Sequence, residues 1–113
     1  MLGKLVDKSR EPEKVKQSSS DILKKIKEPL KRGTYVLRAH AVKRQKDRQV
    51  RLPHILHVLE YGRHEQDKDY FDIKHQNWTH VIRGKTVENV DLRVVIAFHE
   101  EMAIVTVIRM VKK

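Results

Sequence analysis

Two apolar runs late in the chain, residues 92–98 (LRVVIAF) and 103–110 (AIVTVIRM), constrain the fold more than any other feature. Each is short and rich in β-branched residues, so each predicts a strand. His99, Glu100, Glu101 and Met102 lie between them, a length that suits a hairpin turn. Their nearly continuous apolarity is the pattern of central strands covered on one face by helices. Those helices must come from earlier in the chain.

Residues 34–38 (TYVLR), just after Gly33, read as a first strand. The stretch from His40 to about Gln49 is charged and free of glycine and proline, which predicts a surface helix. Pro53 suits the first turn of a second helix that runs to about Tyr61 and stops at Gly62. Its apolar set, Ile55, Leu56, Val58 and Leu59, fits packing on a sheet. Residues 63–77 are polar, with acidic Glu65, Asp67, Asp69 and Asp72 around Tyr70 and Phe71, and read as a loop or a ragged edge strand. Residues 78–83 alternate as a strand does, and Gly84-Lys85 offers a turn or bulge. The expected order is therefore β-α-α-β-β-β. That order places two helices against an antiparallel sheet of about four strands, an α+β domain.

Composition adds limits on chemistry. The chain has 113 residues, no cysteine, 39% hydrophobic residues and a formal charge of +10. That length suits one domain, placed at 33–113, and excludes the large dinucleotide and barrel enzymes. Without cysteine there is no disulfide, thiolate nucleophile or Cys-ligated metal. No window approaches the roughly 18 apolar residues that cross a bilayer, so no membrane association is expected. The N-terminus, MLGKLVDKSREPEK, lacks an apolar signal core, which predicts a cytoplasmic protein. Residues 1–32 carry ten Lys/Arg and five Asp/Glu, a basic arm expected to be partly flexible. Within it Ile22, Ile26 and Leu30 make a stripe, with Ser18-Ser19-Ser20-Asp21 as a start signal. Pro29 should end or kink this short helix, about 20–28, near Glu28.

The chemistry-bearing stretch surrounds His40. His40, Arg44 and Arg48 stand at i, i+4 and i+8, so about 80° of one helix face holds all three. Stacked like charges repel by a few tenths of a kcal/mol unless an anion sits between them. From Arg38 to Arg51 there are six cations (Arg38, Lys43, Arg44, Lys46, Arg48, Arg51) and one acid, Asp47. Charge of this kind favours polyanionic partners. Histidine suits proton transfer near neutrality, and arginine holds phosphate through its two-pronged fork. One His with two Arg therefore fits a nuclease site that needs no metal or cofactor.

The pattern Y-x4-HA-x2-R-x3-R, carried by Tyr35, His40, Ala41, Arg44 and Arg48, is followed by Leu59-Glu60-Tyr61-Gly62 and a late Ile104-Val105-Thr106-Val107. Together these resemble a family of small uncharacterised bacterial domains placed near the RelE/ParE-like toxins. The resemblance implies the RelE-like fold, two helices on a curved antiparallel sheet. It further implies ribonuclease activity or RNA binding, often as the toxin half of a toxin–antitoxin pair. Carried over by position, His40 is the acid/base, Arg44 and Arg48 are phosphate ligands, and Thr106 is a further phosphate or base contact. Arg38, Lys43 and Arg51 extend the basic stretch. By charge and position alone, Arg83 and Arg109 are candidates to complete a groove.

The remaining histidines suggest no metal site. His54-x2-His57 and His75-x4-His80 match no recognised ligand spacing. The alternative reading is a non-catalytic basic module that binds nucleic acid or an acidic protein such as an antitoxin.

Overall fold

The computed structural model describes residues 19–110, so the expectation of a loose arm before Ser19 lies outside the described residues. Helix α1 is Ser19–Arg32. Strand β1, Tyr35–Leu37, leads through Arg38 into helix α2, Ala39–Arg48, and then helix α3, Leu52–Tyr61. The short strands β2, Arg63–His64, and β3, Tyr70–Asp72, flank a 3₁₀ turn at Gln66–Lys68. Three long strands follow: β4, Asn77–Lys85; β5, Asp91–Phe98; and β6, Met102–Arg109. Among the described residues, no helix is long and apolar enough to cross a membrane.

The strand order is β1-β6-β5-β4-β2, with β3 also on β4. The two apolar runs pair as an antiparallel hairpin at the centre of the sheet, with Leu92 opposite Arg109 and Phe98 opposite Met102. Alternation then assigns the faces. Leu92, Val94 and Ile96 on β5, with Ile82, Ile104 and Val107, join Ile22, Ile26, Ala41, Ile55, Val58 and Leu59 from the helices in one core. All three helices thus cover the same face.

The sheet is α+β but differs from the expected one in two respects. It has six strands, because residues 63–72 contribute β2 and β3 to the β4 edge. It is also mixed rather than wholly antiparallel: β1 pairs with β6 in parallel, Tyr35 opposite Met102 and Leu37 opposite Ile104. No local turn signal marks such a pairing, since its partners are more than 60 residues apart in sequence.

Helix α1 does not stop at Glu28 but runs through Pro29 to Arg32. An internal proline costs about 3 kcal/mol. Against it, Ile22 and Ile26 are fully buried and Leu30 packs on the core one turn beyond. Burying one such side chain contributes about 1.5–3 kcal/mol, so tertiary packing outweighs the local preference. The helix ends at Gly33, whose φ of +72° only glycine adopts freely. There the Gly33 and Thr34 amides both donate to the Pro29 carbonyl.

Gly62 ends α3 as expected, though for a different reason. Its φ is −80°, so no left-handed turn requires glycine there. A Cβ at this position would lie 2.5 Å from the Val58 carbonyl oxygen and 2.6 Å from that of Arg83. Glycine lets the helix end touch β4.

Candidate functional site

Helix α2 lies over β6 and β1 and is anchored by its small residue. Ala41 is completely buried, while His40, Val42 and Lys43 are exposed and Arg44 and Arg48 half-buried. The alanine of the HA pair thus faces the sheet, which turns the adjacent histidine outward. At the start of the helix, the Arg38 amide donates to the Ile104 carbonyl (3.0 Å), fixing the entry to α2 against β6. At its end, Gln49 adopts the left-handed conformation (φ 55°) and the Val50 amide returns to the Gln45 carbonyl.

The sequence placed His40, Arg44 and Arg48 on one face, and the first two are in contact. Arg44 Nε donates to His40 Nε2 at 3.4 Å. In that contact Nε2 is the acceptor. Asp47 sits 3.7 Å from both Lys43 Nζ and Arg44 Nη1, an exposed pairing that offsets little. Among the described residues, no carboxylate pairs with Arg38, Arg48 or Arg51. Arg109 belongs to the same neighbourhood: its Nη1 donates to the Arg48 carbonyl (3.2 Å), a cation at the negative end of α2.

Arg83 and Thr106 are placed elsewhere. Ile82 faces the helices, so Arg83 next to it faces the opposite side of the sheet. There it grips Asp91 through two bonds (3.1 and 2.7 Å) and reaches Glu65 at 3.4 Å, while Arg93 Nε meets Glu65 at 2.6 Å. The hydrogen bonds and charge of Arg83 hold the Asp91 carboxyl below its usual range, although burial opposes them. Burial would raise Glu65, yet Arg93 and then Arg83 bring it net below its usual range. Arg83 is therefore a partnered cation. Thr106 pairs with Val95, across an irregularity that sets Ile104 opposite Ile96, and so also faces away from the helices.

The other histidines divide by environment. His54 Nδ1 accepts the Arg51 amide at 3.2 Å and its Nε2 meets Glu88 at 3.0 Å, so it closes the first turn of α3. His57 stacks on Tyr61, and His75 caps a turn through Asp72. A convergence the sequence did not reveal joins His64, Asp69 and His80. His64 Nε2 and His80 Nδ1 both approach Asp69 Oδ2, at 2.7 and 2.8 Å, and the Val81 amide donates to Oδ1 at 3.0 Å. The three side chains are 0%, 1% and 5% exposed. Burial pushes the His80 imidazole below its usual range, against the pull of Asp69. These donor atoms all lie within 4.8 Å of one another, a set able to hold a metal ion.

The described residues form a small α+β domain with three helices on one face of a mixed sheet, the basic one lying at its β1–β6 edge. Residues 37–109 match a family described as a domain of unknown function, DUF4258, and the chain belongs to that family. The match starts at the end of β1 and closes with β6, so α1 lies outside it. Comparison with curated proteins and with solved structures found no match.

Proposed function

We propose that the protein binds RNA along the exposed face of α2 and cleaves it without a metal ion, as a ribonuclease of the RelE-like toxin type. The observation that carries this reading is the contact between Arg44 and His40 on an accessible helix face. It sets a proton acceptor beside a guanidinium that can hold phosphate. When Arg44 turns from His40 to the phosphate, the lone pair of His40 Nε2 is released to take the proton of the ribose 2′-hydroxyl. The 2′-oxygen then attacks phosphorus and the bond to the 5′-oxygen breaks, with that oxygen taking a proton from water. The products are a 2′,3′-cyclic phosphate and a 5′-hydroxyl. Arg44 and Arg48 stabilise the charge that builds on the phosphoryl oxygens. Arg38, Lys43, Arg51 and Arg109 supply flanking phosphate contacts. A toxin of this type would be held in check by an antitoxin protein.

The test is incubation of labelled RNA with the purified protein in EDTA at 25 °C, with circular dichroism reporting the folded state. Cleavage that persists in EDTA and is lost in His40→Ala and Arg44→Ala is expected. No cleavage, or cleavage that survives both substitutions, overturns the catalytic assignment.

A second reading has its own observation. On this helix face His40 has only Asp47 beside it as a second proton-transfer group, and that carboxylate is paired with Lys43 and Arg44, while Thr106 and Arg83 lie on the other side of the sheet. That favours a binding module without chemistry, for nucleic acid or an acidic protein. RNA retention with steep salt dependence and no cleavage would select it.

A further inference from the structure

We propose that His64, Asp69 and His80 bind one divalent transition-metal ion of the zinc class, which clamps the 63–72 excursion onto β4. The three donors come from β2, from the residue just before β3, and from β4. Two imidazoles and one carboxylate make a nitrogen/oxygen set that suits zinc or cobalt, and not calcium or magnesium, which take oxygen.

Four features converge on this site. The first is distance. Bonds of about 2.0–2.2 Å in a tetrahedron space the donors about 3.2–3.6 Å apart. The present 2.7 and 2.8 Å contacts need to open by about 0.4–0.9 Å to reach that spacing, and no pair of donor atoms exceeds 4.8 Å. The second is orientation. The Val81 amide holds Oδ1, which leaves Oδ2 turned toward both rings, and such outer hydrogen bonds are what fix a carboxylate ligand.

The third is charge. Asp69 is 1% exposed and is hydrogen-bonded to two imidazoles and one amide, while the charge of Lys25 is felt at His80. A buried carboxylate ordinarily has a cation or a metal as partner. The fourth is an unused atom. His64 Nδ1 is buried without a hydrogen-bond partner, so the one polar engagement of this ring is at Nε2, the atom turned to the cluster. Asp72 and His75 pair at the same 2.7 Å but are exposed and lack a third donor, so they form an ordinary turn.

The experiment uses the full chain freed of metal. Zinc should raise its melting temperature and saturate at one equivalent, while magnesium has no effect. Cobalt(II) should give the intense visible bands of a tetrahedral site. Asp69→Asn and His80→Gln should weaken zinc binding by more than the roughly 10–100-fold that loss of an outer hydrogen-bond partner causes. His75→Gln should bind as the parent does. Should either cluster variant fail to fold, the cobalt spectrum and zinc equivalence of the parent chain decide alone. No cobalt bands and no shift with zinc would overturn the proposal and leave a hydrogen-bonded cluster only. A response lost in His54→Gln or His57→Gln, but kept in His80→Gln, would overturn it by placing the ion elsewhere. RNA cleavage is read separately, since neither His40 nor Arg44 belongs to the cluster.

Discussion

Arg44 Nε lies 3.4 Å from His40 Nε2, one helical turn away on α2, so the imidazole and the guanidinium fork share one accessible face. The contact predicts that arginine and lysine are not equivalent at position 44. Arg44→Lys keeps the charge but loses the planar fork and the Nε donor. Cleavage of labelled RNA by Arg44→Lys is expected to fall on the order of 100-fold, as when one oriented donor is removed from a developing anion. Binding should change far less. No loss in either would show Arg44 to be a point charge only, and equal losses would place its fork in substrate binding rather than in the cleavage step.

The alanine next to His40 predicts a packing effect. Ala41 is fully buried where α2 meets the sheet, whereas Val42 is 46% exposed. Ala41→Leu should destabilise by about 1–3 kcal/mol in urea unfolding, because the added carbons have no room. Val42→Leu should stay within about 0.5 kcal/mol of the parent. RNA binding by Ala41→Leu would then fall through displacement of α2, without any change in its charges.

The two glycines that end α1 and α3 should respond to different substitutions. At Gly62 the obstacle is space, since a Cβ would lie 2.5 Å from a backbone oxygen. At Gly33 the surroundings are open and the obstacle is the positive φ. Gly33→Asn should cost little, since asparagine tolerates this conformation, and Gly33→Val should cost about 1–2 kcal/mol. Gly62→Ala and Gly62→Asn should both be worse than Gly33→Asn in the same denaturant series. Tolerance of Gly62→Ala would show that α3 and β4 can separate cheaply.

Much of this fold was legible because its signals are local. The β5–β6 hairpin follows from two β-branched runs joined by four residues, α2 from a charged stretch free of glycine and proline, and α3 from Pro53, Gly62 and the spacing of Ile55, Val58 and Leu59. What escaped was non-local. The extension of α1 past Pro29 depends on Leu30 reaching the core, and the parallel β1–β6 pairing joins distant segments. The same holds within the candidate sites. His40 and Arg44 are one turn apart, so helical geometry alone brings them together. His64, Asp69 and His80 meet only because β2 and β3 fold back on β4. Arg83 looked like a free cation until the strand register set it beside Asp91 and Glu65.

That last relationship predicts an acid limb in the stability profile. The bidentate grip of Arg83 holds Asp91 below its ordinary value of 3.8, with Lys85 and Arg63 adding favourable charge and burial opposing. Glu65 also faces Arg83 and shares its charge. In the unfolded chain Asp91 takes up a proton at its ordinary value, so between the two values the unfolded state binds more protons. Stability from this pair is therefore fully present above about pH 4 and drains away as pH falls through the lower folded value. Asp91→Asn should lower the melting temperature at pH 7 and flatten the part of the decline below pH 4 that belongs to this carboxyl. Melts of parent and variant from pH 2 to pH 7 make the measurement. Curves that stay parallel down to pH 2 would mean that Asp91 titrates alike in both states and that the Arg83 pair contributes no acid sensitivity.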